Sequence, residues 1–137
     1  MRTIVIFYSY TGKTKEIAHE TAKRSKADIV EVRDKARPGI LKALLFGTRA
    51  AKEGKHCEIE LIAADLKMYD KLIVMSPIWA GYIVPAINSL LKIIPKGKRV
   101  EFKAVSKRGK SLCKGRVKEI VAARGCKLED YEDVKAK

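Results

Sequence analysis

The chain has 137 residues, with thirty Lys and Arg against sixteen Asp and Glu, for a net charge of +14. That length holds one domain with a real core and is too short for two; with nearly half the residues apolar, the composition describes a soluble globular protein. No apolar run approaches the length of a membrane helix, and Met1-Arg2-Thr3 leads into a strand-like run without a signal-peptide cleavage region, so a cytoplasmic location is expected.

Taken in chain order, apolar residues fall in an alternating strand and helix pattern. Ile4 to Tyr8 is a continuous apolar run rich in β-branched and aromatic residues, the pattern of a buried strand. Thr14 to Arg24 follows as a helix, with Ile17, Ala18, Thr21 and Ala22 on one stripe. Asp28 to Val32 reads as a short second strand. Pro38 to Lys52 reads as a helix that proline opens and Gly54 ends. Glu58 to Ile62 is ambiguous, a short extended piece at most. Leu72 to Met75 is a third buried strand, Pro85 to Ile93 a helix, and Arg99 to Val105 a fourth strand. Ser111 to Arg124 is a helix closed by Gly125, and Cys126 to Glu129 a fifth strand.

This alternation predicts an α/β fold, a parallel sheet with helices on both faces. A fifth helix is missing, since only Tyr131 to Lys137 remain after the last strand. The fourth strand agrees with that absence. Val100, Phe102 and Ala104 lie on one side and Glu101 and Lys103 on the other, whereas a strand covered on both faces does not alternate in this way. One sheet face is therefore expected to be open to water near the last two strands.

Charge is concentrated. Lys92 to Lys118 holds eleven basic residues and one acid, Glu101. Two readings stay open: a solvated surface, with the scarcity of Asn and Gln fitting heat adaptation, or a positive face for an acidic protein, an anionic small molecule or nucleic acid. Cys57, Cys113 and Cys126 are an odd count with no Cys-x-x-Cys spacing and no His beside a pair, which disfavours a metal site or a disulfide framework. His19 and His56 read as surface residues, and no side chain presents itself as a catalytic acid or base.

In such a sheet, ligands bind where strand carboxyl ends meet helix amino ends, so the informative segments are Ser9 to Thr14, Ser76 to Tyr82, and Ser106 to Ser111. The first, SYTGKT, offers helix-start N–H groups and the hydroxyls of Ser9, Thr11 and Thr14 as a phosphate cradle. Gly12 lets backbone approach the anion. An ATPase loop needs glycine where Phe7 stands, and the third strand ends in Met75-Ser76 instead of a magnesium-holding aspartate. A phosphate monoester fits better than a triphosphate, and for this segment alone an ordinary Thr-capped helix start competes with both. The second segment, SPIWAGY, carries the only Trp of the chain, Trp79, placed in a Pro- and Gly-containing loop where it either lies against a planar ligand or covers a hydrophobic edge.

Together these segments resemble the flavodoxin-like FMN proteins. Ser9, Thr11, Gly12 and Thr14 match that family's phosphate loop after the first strand. Ser76, Pro77, Trp79 and Gly81 match its loop after the third. The resemblance implies a doubly wound, five-stranded parallel sheet in the order 2-1-3-4-5, its final helix truncated or absent, and FMN as cofactor. By that resemblance the phosphate sits on Ser9, Tyr10, Thr11, Gly12, Lys13 and Thr14. The flavin ring sits by Ser76, Pro77, Ile78, Trp79, Ala80, Gly81 and Tyr82, with Ser106 from the third loop, and backbone around Ala80, Gly81 and Tyr82 meets its N5 edge.

Departures from the family shape the expected function. The third loop, SKRGKS, has cations where flavodoxins often carry aromatic and acidic residues, a change expected to favour an anionic reduced flavin. The implied function is electron transfer or a small flavin oxidoreductase, with an acidic ferredoxin-like protein or NAD(P)H as partner. The alternative is a flavodoxin-fold binding module using the basic face at 92–118. Nucleic acid is disfavoured there, because the segment lacks exposed aromatics for base stacking. A monomer and a homodimer both fit.

Overall fold

The computed structural model describes residues 1–35 and 47–136. In chain order its elements are β1 (Thr3–Phe7), α1 (Lys13–Ser25), β2 (Asp28–Glu31), α2 (Thr48–Lys52), β3 (Lys71–Trp79), β4 (Tyr82–Ile83), α3 (Pro85–Ile93), β5 (Arg99–Ser106), α4 (Lys114–Ala123) and β6 (Lys127–Lys135). The main strands pair in parallel in the order β2-β1-β3-β5-β6. With the short β4 set aside, this is the expected 2-1-3-4-5. Most of the helix expected at Pro38 to Lys52 lies outside the described residues; its end, Thr48–Lys52, is helical.

The two sheet faces are covered unequally. One face carries Ile4, Ile6, Leu72, Val74, Val100 and Phe102, all packed with Ile87, Leu90 and Leu91 of α3 and Val117 and Val121 of α4. Each fully buried Ile or Leu there stabilises the fold by about 1.5–3 kcal/mol. The opposite face carries Val5, Phe7, Ile73 and Met75 against Ala18 and Ala22 of α1. Small residues on that stripe let the helix lie close to the strands, and Thr21 returns its hydroxyl to Ile17 O at 2.8 Å.

No helix follows β6 among the described residues, and β5 and β6 show the consequence. On the side away from α3 and α4, charged side chains pair with one another. Lys71 Nζ lies 2.6 Å from Glu101, Arg99 Nε 2.7 Å from Glu129 and Lys103 Nζ 2.8 Å from Glu132. A face without a covering layer keeps water, and ion pairs replace apolar packing on it.

Two sequence expectations need correction here. The fifth strand does not stop at Glu129 but runs to Lys135, taking up the segment read as a remnant. A bulge between Val100 and Glu101 pairs Leu128 with Val100 and Tyr131 with Phe102. Residues three apart thus share a face, and the period of two that marks a strand is broken. The second correction concerns Ser76 to Tyr82, which is not a loop. β3 continues to Trp79, and a hairpin pairs Ile78 with Ile83 and Trp79 with Tyr82. Pro77 is tolerated because pairing with β1 ends at Met75 and pairing with β4 begins at Ile78, so it falls in the gap between them.

No helix among the described residues is long and apolar enough to cross a membrane. The cysteines are free, and the described residues contain no cluster of His, Cys, Asp and Glu able to hold a metal.

Candidate functional site

At the carboxyl ends of β1, β3 and β5 the chain leaves a cleft of about 680 Å³. Its walls are Tyr10, Thr11, Lys13 and Thr14 from the first loop, Pro77 to Gly81 from the hairpin, and Val105 to Arg108 with Lys110, Ser111 and Leu112 from the third loop; Ala136, just past β6, completes it. This is the position where a doubly wound sheet binds ligands.

The first loop is built to receive an anion. Ser9 is buried, and its hydroxyl accepts from Gly12 N at 3.0 Å and Lys15 N at 3.3 Å, which folds the loop back on itself. Gly12 caps α1 at φ 98°, a left-handed conformation suited to glycine. A Cβ placed there would meet no atom within 4 Å, so the space beside it is open. The N–H groups of Lys13 and Thr14, first in α1, have no protein partner among the described residues, and neither has the Thr14 hydroxyl. Unfilled donors at the positive end of a thirteen-residue helix suit a phosphate.

The hairpin supplies a planar wall. Trp79 is half-buried and held edge-on by Tyr8 and Tyr10, with ring centroids 6.4 and 5.7 Å away. Behind it stands Gly47, where a Cβ would come within 2.8 Å of the indole Cζ3. Ala80 and Gly81 form the tip with φ of 53° and 94°, the paired positive angles of a type I′ turn. The Gly81 carbonyl accepts from Leu112 N at 2.7 Å, tying hairpin to third loop. Tyr82 faces the other way, with the Arg116 guanidinium over its ring at 4.4 Å. Arg116 also donates to Ala51 O and Lys52 O at 3.2 and 3.0 Å, capping the end of α2.

The third loop rests on a hydrogen-bonded chain. Ser111 donates its single proton to Asp133 at 2.6 Å, so in the 2.6 Å contact with Tyr131 Oη it is the acceptor. Tyr131 in turn accepts from Cys113 Sγ at 3.3 Å and stacks on Phe102. Burial raises the pKa of both Tyr131 and Cys113. Cys113 is therefore a neutral thiol within this chain, closed off from the cleft.

The structure brings most of the expected residues together. Tyr10, Thr11, Lys13, Thr14, Pro77, Ile78, Trp79, Ala80, Gly81 and Ser106 line the cleft. Gly12 shapes the loop from behind. Ser76 is fully buried, its hydroxyl donating to Pro77 O at 2.8 Å and accepting from Val84 N at 3.3 Å, which anchors the start of α3. Lys107, Arg108, Lys110 and Ser111 line the cleft too, within the expected segment Ser106 to Ser111, whereas Val105, Leu112 and Ala136 were not expected from the sequence. The loop cations were visible as a group, whereas Ala136 gave no signal, because it reaches the cleft only through the unexpected extension of β6.

No protein-family model matches the chain, and no curated protein does. Solved structures do match. A flavoprotein in complex with FMN from Lactobacillus acidophilus aligns with a TM-score of 0.76 at 23% identity, over 95% of this chain and 91% of that one. Two-electron reduced flavodoxin from Megasphaera elsdenii gives 0.64 at 12% identity, over 98% and 86%. A Streptococcus pneumonia flavodoxin gives 0.58 at 16% identity, over 100% and 88%. With these alignments and the strand order β2-β1-β3-β5-β6, the chain has the flavodoxin-like fold.

Proposed function

We propose that the protein binds FMN in this cleft and transfers electrons through it. The observation that carries the reading is the junction, in a single cleft, of a helix start with unfilled donors and a Trp-walled hairpin. A flavin mononucleotide has the same two parts, a monophosphate and a planar ring. The lining fits that ligand: N–H groups of Lys13 and Thr14 with the Thr14 hydroxyl for the phosphate, and Pro77, Ile78 and Trp79 with Leu112 for the ring.

FMN, when bound, supplies the redox chemistry, accepting one electron or a hydride at N5. The chain holds and tunes it. Lys13 adds charge beside the phosphate. Lys107, Arg108 and Lys110 set a positive potential over the cleft, which favours whichever redox state carries more negative charge. Electron carriage and turnover with NAD(P)H both use this arrangement.

Titration with FMN and with riboflavin tests the reading. FMN is expected to bind one to one and quench Trp79 fluorescence, and riboflavin, lacking the phosphate, to bind at least about tenfold more weakly. A protein that binds neither, or binds both equally, refutes it.

A further inference from the structure

We propose that the mouth of the cleft is a docking surface for an acidic protein that exchanges single electrons with the bound flavin. This rests on the flavin reading above and names its partner. The positive charge of the chain divides into two populations. On the open sheet face, Lys71, Arg99 and Lys103 are each neutralised by a carboxylate at 2.6–2.8 Å. At the cleft mouth, Lys107, Arg108 and Lys110 are in no ion pair among the described residues, and they remain free when Lys13 serves the flavin phosphate. The same is true of exposed Lys114, which starts α4 beside them. Unpaired like charges crowded together repel, and a partner of opposite sign relieves that repulsion.

An apolar anchor stands among these cations. Leu112 is 73% exposed although it lines the cleft, and the other large exposed apolar side chains, such as Leu61, Met68 and Ile93, lie outside it. Its backbone N–H is bonded to Gly81 O at 2.7 Å, so the anchor is fixed to the hairpin wall of the cleft. An apolar centre within a charged rim is the anatomy of a protein interface. Nucleic acid is disfavoured, because Ser106 to Lys118 contains no aromatic side chain for bases to stack on. A second copy of this chain is disfavoured by its net charge of +14. A phosphorylated small molecule would engage one or two cations, whereas here four, Lys107, Arg108, Lys110 and Lys114, are supplied by the third loop and α4.

In the step itself a reduced partner loses one electron and the oxidised flavin gains it, with no atom transferred. The test uses the FMN-loaded protein and two probes of opposite charge, a small acidic iron–sulfur ferredoxin and a basic cytochrome c. Stopped-flow rates with reduced ferredoxin are expected to fall at least about tenfold between low and high salt. Lys114→Glu lies outside the cleft lining and places an acid at a helix start, which favours folding. It is expected to leave FMN affinity unchanged and to lower the low-salt ferredoxin rate several-fold. Leu112→Ser is expected to raise several-fold the Kd of a redox-inert, gallium-substituted ferredoxin in a titration that reads docking without electron flow, and an unchanged Kd refutes the anchor. Salt-independent ferredoxin rates, a rate of electron transfer from the reduced flavin to oxidised cytochrome c that falls with salt instead of rising, or a Lys114→Glu rate equal to wild type overturn the proposal. So does saturable reduction by NADPH alongside no reaction with ferredoxin. Failure to bind FMN, by contrast, refutes the flavin reading itself, and the gallium titration still reports on the surface.

Discussion

Ala80 is a non-glycine residue held at φ 53° at the tip of the hairpin, followed by Gly81 at φ 94°. The left-handed region brings Cβ against the neighbouring carbonyl and costs an ordinary residue about 1–2 kcal/mol. Ala80 is exposed, so substitution disturbs no packing and the backbone cost stands alone. Ala80→Gly removes the strain but loosens the unfolded chain, which offsets it by about 0.4–1 kcal/mol. Ala80→Asn keeps most of the gain, because Asn tolerates this conformation and Asn-Gly is the preferred type I′ pair. We expect Ala80→Asn to stabilise the protein by about 1 kcal/mol. With about 2 cal/mol/K of unfolding entropy per residue over 137 residues, Tm rises by about 3–4 °C. Thermal unfolding without added flavin is the assay, with Ala80→Val as a control expected to melt below wild type. Asn and Gly variants that both melt at or below the wild-type temperature refute the strain argument.

Gly47→Ala is expected to destabilise by about 1–3 kcal/mol and shift Trp79 emission, because the new methyl comes within 2.8 Å of an indole already flanked by two tyrosines. A variant with unchanged emission and stability shows that the indole has room to move. On the open face, a double-mutant cycle on Lys103 and Glu132 is expected to give a coupling below about 1 kcal/mol, since water screens the pair despite its 2.8 Å contact. For pH, burial pushes the Cys57 thiol from 9.0 up to about 12, with Asp34 adding to the rise. A raised pKa means that the folded state holds its proton more tightly. That stability is complete below pH 9 and is lost as pH climbs towards 12. Urea midpoints measured from pH 8 to 10 are expected to fall for the wild type and to fall less for Cys57→Ser; parallel curves refute the assignment.

Local chemistry explains which features were legible in the sequence. β1 and the core of β3 announce themselves as unbroken apolar runs, because helices cover both their faces. The alternation of β5 disclosed an uncovered face in advance, and the pairing of Lys71 with Glu101 and of Lys103 with Glu132 shows what occupies it. The phosphate loop was legible because its chemistry resides in consecutive residues. The hairpin was hidden by Pro77, which reads as a strand breaker unless the gap between two pairing partners is known. The far end of β6 was hidden by its bulge and by acids that only an edge strand tolerates. Leu112 and Ala136 enter the cleft through tertiary placement alone, which no local pattern encodes.

The edge at β6 has a consequence for how copies of this protein avoid one another. Lys127–Lys135 is an edge of the sheet among the described residues, and its outward-facing backbone groups, at alternate residues, form a template on which a second molecule could add its own strand. For two copies meeting antiparallel with full overlap about Tyr131, Lys127 faces Lys135, Glu129 faces Asp133 and Asp130 faces Glu132. Every charged position meets its own sign, and like charges directly opposite destabilise a ladder. The residues that conceal this strand from a reader of the sequence thus also guard it against fibril-like self-association, and a strand richer in alternating valines would have been easier to recognise and harder to keep in solution.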